Sequence, residues 1–200
     1  MPTELSEFEE WFDEQAIPVP AAPTFQQSTV WSIPNRCTFK IKPIRALLDR
    51  YIRPSDVIVD PMCRESLIGT YRNDIDPKAP GAITHMDAVA FLDDLLAKGI
   101  AADVVLWDPP FSVNQARKYG RKDETPHSFN VLRHECRNRI ARLVRPGGLV
   151  ICLAFHGNGL ERPGFETIER LNVTHGGFSY DTIVVVQRRA PHALDQTQPN

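Results

Sequence analysis

The sequence lacks a strong charge of either sign and lacks a metal-binding or disulfide pattern of cysteines. Its 200 residues carry a formal net charge of -2. This provides no overall attraction to nucleic acid or to a membrane surface, so any site for a polyanion must be a local basic patch. The four cysteines lie far apart, without a C-x-x-C pair or a histidine at ligand spacing. We therefore expect reduced thiols, no disulfide framework and no metal site.

Long apolar runs are also lacking. No stretch approaches the roughly 18 residues of a membrane-spanning helix, and the first residues are acidic where a signal peptide would be basic and then apolar. We expect a cytoplasmic protein with no membrane partner. The hydrophobic content of 42% is sufficient for one sizeable core. The composition predicts a flexible acidic and proline-rich arm (residues 1–28), a single domain (residues 29–189) and a disordered tail (residues 190–200).

Strand patterns alternate with helix patterns along the domain. Alternation of this kind is typical of a largely parallel sheet with helices packed on it. The last two apolar segments are joined by a turn short enough for an antiparallel hairpin. The fold class that we predict is α/β, a doubly wound sheet that is mostly parallel and ends in an antiparallel C-terminal hairpin. The predicted strands are residues 57–60, 68–74, 82–87, 103–108, 149–155, 165–175 and 182–189, and the predicted helices are residues 43–51, 88–100 and 131–144.

Four aspartates close or follow the predicted strands: Asp60, Asp74, Asp87 and Asp108. Ligands of open parallel sheets bind beyond the carboxyl ends of the strands, so we expect these carboxylates to share one pocket. Carboxylates there accept hydrogen bonds from a ribose or from an amino group. The alternative at each position is that the aspartate only caps the next helix or begins a turn.

The segment VVLWDPPF, residues 104–111, is the strongest chemical signal. An exocyclic amino group of a nucleobase is a poor nucleophile, and acceptors that hold its two protons favour attack. Asp108 supplies one acceptor and the carbonyl of Pro109 another, because the two prolines keep the carbonyls out of strand pairing in a rigid loop. A carboxylate in place also stabilises the positive charge that develops on the nitrogen. Phe111 offers a flat face on which a flipped base can stack.

The sequence DPPF after an apolar strand resembles the D-P-P-[YFW] motif of amino-methyltransferases, which use S-adenosylmethionine to methylate the amino nitrogen of adenine or cytosine. Residues 38–44, 57–77 and 85–92 resemble the cofactor-binding segments of that family in the same order. Residues 163–189 are similar to the closing segment of short adenine-methyltransferase-like proteins of phages and prophages. The resemblance covers roughly residues 31–189. It implies the class I methyltransferase (Rossmann-like) fold, S-adenosylmethionine as cofactor and a bacterial or phage-infected cell.

The resemblance also implies roles for individual residues. Phe39 would cover the methionine part of the cofactor, Asp60 and the following loop would border its methionine end, Asp74 would bind the ribose, and Asp87 with Ala88 would bind the adenine edge. The implied cofactor residues are Phe39, Asp60, Pro61, Cys63, Asp74, Asp87 and Ala88, and the implied catalytic residues are Asp108, Pro109, Pro110 and Phe111. Transfer would be direct and in line, dominated by alignment and electrostatics, and would need no metal.

The sequence departs from the family in its cofactor loop. The usual loop is rich in glycine, which lets the backbone approach the ligand, whereas residues 61–66 read PMCRES. Either small Cys63 and Ser66 replace the glycines in a wider loop, or cofactor binding is weak or lost.

No insertion is long enough to form a separate target-recognition domain. We therefore expect the recognised sequence to be short or loosely defined, or its recognition to depend on a partner subunit or a homodimer. The basic segment after the catalytic motif, residues 112–122, is the candidate for phosphate contacts beside a flipped base. His156 and Asn158 follow the next strand and are weaker candidates, and His175 and Asp181 either belong to the closing motif or are structural. The predicted nucleic-acid residues are Ser112, Arg117, Lys118, Arg121, Lys122 and Asn158.

The leading functional hypothesis is a DNA adenine-N6 methyltransferase with DNA as partner, because aspartate heads the motif where serine would suggest cytosine N4. An RNA amino group is the enzymatic alternative. A non-catalytic binding protein that keeps the fold is suggested by the loop without glycine. A dinucleotide-dependent oxidoreductase fits poorly, because the sequence has no G-x-G-x-x-G and this function would leave DPPF unexplained.

Overall fold

The structure is a computed structural model that describes residues 25–154 and 157–191. The described residues form seven strands, four helices and one short 3-10 turn. The strands are β1 (Gln26–Trp31), β2 (Ile58–Asp60), β3 (Tyr71–Arg72), β4 (Ala102–Trp107), β5 (Val144–Ala154), β6 (Phe165–Thr174) and β7 (Thr182–Arg189). The helices are α1 (Lys42–Tyr51), α2 (Ala88–Ala97), α3 (Val113–Lys118) and α4 (Pro126–Leu143), and the 3-10 turn is Thr38–Lys40.

All seven strands belong to one sheet with the order β1-β6-β7-β5-β4-β2-β3. Strand β7 is antiparallel to both of its neighbours, and the other pairs are parallel. The chain builds outward from β2 to β3 on one side and from β4 to β5 on the other, so the sheet is doubly wound with a switch point between β2 and β4. The predicted α/β fold class is confirmed: a doubly wound, Rossmann-like sheet that is mostly parallel and ends in an antiparallel C-terminal hairpin.

Helices cover both faces of this sheet. On one face α2 and α4 pack together, and Phe91 and Leu95 of α2 belong to the same apolar core as Ile140 of α4. On the other face α1 buries the apolar stripe that its spacing predicts, namely Ile44, Leu47 and Leu48. Strand β4 lies between the two cores and is almost fully buried, which explains its continuous apolar sequence.

Two predicted strands are shorter than expected because a side chain replaces strand pairing. The strand predicted over residues 68–74 is only β3, and the one predicted over residues 82–87 is reduced to a single bridge between Asn73 and Thr84. Asn73 is fully buried, and its side-chain oxygen accepts hydrogen bonds from the Thr84 hydroxyl and the Met86 N–H, both at 2.9 Å. The segment between the two predicted strands contains two prolines, which cannot donate hydrogen bonds to a strand ladder.

The edge beyond β6 is occupied by a strand that the sequence analysis missed. β1 pairs in parallel with β6 from Gln26 to Trp31, so residues 26–28 belong to the sheet and not to the predicted arm. The strand covers an edge of β6 that would otherwise be unpaired. Most of the predicted arm (residues 1–24) and of the tail (residues 192–200) lies outside the described residues.

The sequence RPGG, which follows the predicted helix of residues 131–144, lies inside β5. Helix α4 begins earlier, behind a capping box of Thr125 and Ser128, and runs directly into the strand. The strand register then jumps, because Val144 pairs with Ala102 whereas Leu149 pairs with Val104. The residues between form a bulge, which re-aims the strand. Within the described ranges, no helix combines the length and the apolar character that crossing a bilayer requires.

Candidate active site

A cavity of about 710 Å³ opens beside the carboxyl ends of β2 and β4. Its volume lies within the roughly 300–1,000 Å³ of typical ligand pockets, and its place at the switch point is where doubly wound sheets bind ligands. Six segments line it: the stretch before α1, the loop after β2, the residues after β3, the start of α2, the segment from Asp108 to Arg121, and the turn between β6 and β7.

Asp108 stands at the end of β4, directly after Trp107, which is buried in the core as expected. The carboxyl group is only partly exposed and lines the cavity. Burial raises its pKa from 3.8 to about 7, although a hydrogen bond with the Thr38 side chain acts in the opposite direction. The carboxyl group therefore titrates near neutrality and can accept or hold a proton there. Pro109, Pro110 and Phe111 line the same cavity.

The loop after Asp108 is held by a relay of hydrogen bonds. The backbone N–H of Phe111 donates to Gln115 Oε1 at 2.6 Å, and Gln115 Nε2 donates to the Tyr119 hydroxyl at 3.2 Å. Ser112, predicted to contact nucleic acid, caps α3 by accepting from the Gln115 N–H at 3.2 Å and also lines the cavity. The relay fixes the backbone that carries Phe111.

The loop of residues 61–66 is compact although it has no glycine. Arg64 takes the left-handed conformation, with a φ of 47°, which glycine adopts far more readily. The backbone of Gly81, which lies outside the loop, approaches the loop closely. A Cβ atom at Gly81 would lie only 2.3 Å from the Ser66 carbonyl oxygen. Cys63 and Ser66 are buried. Gly81 therefore leaves room for the Ser66 carbonyl oxygen beside the loop.

Two of the four strand-ending aspartates lie in the cavity wall. Asp74 is buried and lines the cavity with Asp108. Its two oxygens accept from the N–H groups of Arg64 at 3.0 Å and Asp76 at 2.9 Å, and burial raises its pKa. Asp60 is fully buried and outside the cavity lining. Burial raises the pKa of Asp60 well above its ordinary value, and the charge of Asp108 adds to this. Burial of Asp60 and Asp74 therefore favours the protonated forms of both carboxyl groups.

Asp87 follows the capping alternative and does not line the cavity. Its carboxylate accepts from the Val89 N–H at 2.9 Å at the start of α2 and forms an ion pair with Arg121. The neighbouring Ala88 does line the cavity, as do Phe39, Pro61 and Cys63. The prediction that all four aspartates share one pocket is thus wrong for Asp87 and for Asp60, because neither side chain lines the cavity.

The basic segment after the motif is less available than expected. Arg121 forms ion pairs with Asp87 and with buried Glu124, which tie the segment to α2. Arg117 donates to the Glu124 carbonyl at 2.8 Å. Both lysines of the segment are exposed, but only Lys118, and not Lys122, lines the cavity.

The weaker candidates beyond β5 lie apart from the cavity. Asn158 donates to Glu161 at 3.0 Å and is not among the cavity-lining residues. The prediction for His156 lies outside the described residues.

Several cavity residues were not predicted, or were predicted only ambiguously. Thr38 and Arg64 carried no sequence signal beyond their neighbourhood. His175 lines the cavity but is buried, with Nδ1 2.7 Å from the Ser32 carbonyl and Nε2 3.2 Å from the Thr182 hydroxyl, so its contacts join β1 to β7. Among the described residues no group of three or more histidine, cysteine, aspartate or glutamate side chains is placed to hold a metal ion.

Comparison with known proteins finds likeness at the level of the fold. TrmN from Thermus thermophilus is 19% identical over 74% of this chain and 49% of its own, with a TM-score of 0.47. A methyltransferase homologue from Pyrococcus horikoshii is 10% identical over 70% of this chain and 63% of its own, with a TM-score of 0.48. The chain thus spans about half of TrmN and less than two thirds of the second protein. No protein-family model and no curated protein sequence matches the chain.

Proposed function

We propose that the protein transfers a methyl group from S-adenosylmethionine to the exocyclic amino group of a nucleobase, with adenine N6 in DNA as the acceptor. The observation that carries this proposal is the position of residues 108–111. They stand at the carboxyl end of β4 and line a cavity that the loop after β2 also lines. A carboxylate, a proline carbonyl and an aromatic ring at that point form an acceptor for a flat base that carries an amino group.

The cavity fits the proposed cofactor in size. Phe39, the loop of residues 61–66, Asp74 and Ala88 would hold it, with Asp74 near the ribose hydroxyls. Asp60 Oδ2, which is buried, has no hydrogen-bond partner, and a cation nearby would favour the ionised form of this carboxyl group. When bound, S-adenosylmethionine supplies a methyl group on a positively charged sulfur, and transfer exchanges a carbon–sulfur bond for a carbon–nitrogen bond and releases one proton from the nitrogen.

The residues of the motif would act on the amino group. Asp108 and the Pro109 carbonyl would accept hydrogen bonds from its two N–H groups, which concentrates the lone pair on the nitrogen. Phe111 would stack on the base. The ionised Asp108 carboxylate would stabilise the positive charge that develops on the nitrogen. With a pKa of about 7, Asp108 is also a suitable acceptor for the released proton.

Beside the cavity mouth lies an exposed aromatic surface, formed by Trp31, Phe178 and Tyr180, which we call the aromatic rim. These side chains are 60%, 81% and 78% exposed, respectively, and Tyr180 also lines the cavity. Exposed aromatic side chains stack with unpaired bases of either DNA or RNA. The rim therefore supports a nucleic acid whose bases are splayed or single-stranded, and it favours RNA as acceptor as much as DNA.

The test is transfer of a labelled methyl group to unmethylated genomic DNA and to RNA, followed by separation of the nucleosides by mass. We expect label in N6-methyladenine with the native protein and none with Asp108→Ala. Asp49→Ala, which removes an exposed carboxylate from α1, is the matched control and should retain activity. Label in RNA alone would move the substrate to RNA, and no label in either polymer would contradict the proposed reaction.

A further inference from the structure

Arg64 occupies a backbone conformation that does not suit it. Its φ of 47° lies in the left-handed region, which residues with a Cβ atom rarely adopt. Such strained residues cluster at functional sites. Arg64 also lines the cavity, on the loop that follows β2. An arginine here, where glycine would be relaxed, suggests that its side chain contributes something that glycine cannot.

The guanidinium of Arg64 stacks on an aromatic ring, and its charge partly offsets the rise in the pKa of Asp74. Its central carbon lies 3.9 Å from the centroid of the Tyr119 ring, and such stacking leaves the N–H groups in the guanidinium plane available to an acceptor. The Nη1 atom is buried and has no hydrogen-bond partner. Because buried donors are nearly always paired in folded proteins, this nitrogen is suited to an acceptor from a ligand.

The stacking partner of Arg64 is itself fixed. The Tyr119 hydroxyl accepts from Gln115, and Gln115 accepts from the backbone of Phe111. The guanidinium therefore has a defined position relative to the catalytic motif. A planar donor in a defined position is the usual recognition element for a carboxylate, which it can bind through two parallel hydrogen bonds.

Charged groups of both signs line the cavity. Asp74 and Asp108 lie in its wall and Asp60 beneath it, and these carboxylates suit a cation. Arg64, on the same wall, suits an anion. The amino-acid end of S-adenosylmethionine carries both signs, an ammonium and an α-carboxylate, as well as the positive sulfur. The arrangement therefore matches a zwitterionic ligand.

We propose that Arg64 binds the α-carboxylate of the amino-acid end of S-adenosylmethionine and thereby selects for cofactors that carry it. The identity of the ligand rests on the proposed function. In this role the arginine replaces a loop glycine and adds a charged contact to the cofactor, while Gly81 keeps the loop compact.

Isothermal calorimetry with two ligands and two proteins tests this inference without measuring activity. The ligands are S-adenosylmethionine and its decarboxylated analogue, which lacks only the α-carboxylate. The proteins are the native chain and Arg64→Gly, which relieves the backbone at this φ and should fold at least as well. Thermal unfolding checks this point.

We expect the native protein to bind S-adenosylmethionine about ten- to a hundredfold more tightly than the decarboxylated analogue, the range of a charge-assisted hydrogen bond. In Arg64→Gly the affinity for S-adenosylmethionine should fall to that of the analogue, whose own affinity should not change. Tyr119→Leu should give an intermediate loss because it removes the platform of the guanidinium.

Equal loss of both ligands in Arg64→Gly, or no loss, would overturn the role of Arg64 and leave the proposed function intact. Failure of the native protein to bind either ligand would overturn the proposed cofactor and, with it, this assignment. The two failures are therefore distinguishable in one set of titrations.

Discussion

Replacing Asp108 by asparagine should stabilise the protein progressively as the pH rises. The native carboxyl group has a pKa of about 7 because burial disfavours its charged form. The stability that its protonated form contributes is fully present below pH 3.8 and is lost as the pH rises through 7. Asparagine has a similar shape and no charge, so the variant avoids this loss.

The size of the effect follows from the pKa. Between pH 5 and pH 8.5 the loss of stability occurs from pH 5 to the pKa of about 7, an interval of about two pH units. At about 1.36 kcal/mol per unit this corresponds to about 2.7 kcal/mol. Because the side chain is partly exposed, we halve this for solvent screening, to about 1.4 kcal/mol. A change of 1 kcal/mol shifts the melting temperature of a chain of this size by about 2–4 °C. The advantage of Asp108→Asn should therefore grow by about 3–6 °C.

The assay is differential scanning calorimetry of both proteins at pH 5 and pH 8.5. Asp49→Asn, on the exposed surface of α1, controls for the general loss of a carboxylate. The raised pKa of Asp60 owes part of its shift to the charge of Asp108, so removal of that charge acts in the same direction. An advantage that is independent of pH, or that shrinks as the pH rises, would refute the argument that Asp108 is a destabilised carboxylate.

Three further predictions concern activity, the loop and the aromatic rim. Methyl transfer should rise with pH through about 7, because Asp108 must be ionised to accept the amine protons, and a pH–rate profile measures this. Gly81→Ala should destabilise the fold by about 1–3 kcal/mol in urea unfolding, because its Cβ atom would lie 2.3 Å from the Ser66 carbonyl oxygen. Trp31→Ala combined with Phe178→Ala should weaken binding of a single-stranded oligonucleotide by about fivefold to 150-fold per stacked base, measured by fluorescence anisotropy.

Each of these has a control. A flat pH–rate profile between pH 6 and pH 8 would remove the acceptor role from the ionised carboxylate. Gly99→Ala, at a glycine with a φ of 69° where an added Cβ atom meets nothing within 4 Å, measures a backbone cost without a clash; φ at Gly81 is not positive, so its cost should come from the clash. In the rim variant, S-adenosylmethionine binding should be unchanged. Sedimentation that shows a native dimer and a monomeric rim variant would instead make the rim a contact between two copies.

The parts of the fold that were predictable are those in which apolar spacing decides the structure. Helix α1 follows from the spacing of Ile44, Leu47 and Leu48, and β4 follows from its continuous apolar run between two cores. Strand β1 reads as polar because only one row of its side chains is partly buried at the sheet edge. The predicted strand at residues 82–87 failed because the side chain of Asn73 replaces its ladder, which no local pattern reveals.

The site was predictable where chemistry is written in consecutive residues. Residues 108–111 lie together in the cavity wall because one loop carries them. The role of Gly81 depends on contact with a loop 15 residues earlier, and the strain at Arg64 is a backbone angle. Neither can be read from residue types. The one available signal was the lack of glycine in residues 61–66, and this signal did not identify Gly81 as the residue that leaves room beside the loop.

The pairing of β1 with β6 has a consequence for the order of events during synthesis. β1 emerges first, but its partner strand emerges about 140 residues later, and the bond between the Ser32 carbonyl and His175 spans 143 positions. The part of the cavity wall before α1 therefore meets the part formed by the turn between β6 and β7 only when the last hairpin has left the ribosome. Contacts between distant segments form slowly because a long loop must close first. A nascent chain arrested before β6 can thus contain the DPPF loop and still have no enclosed site.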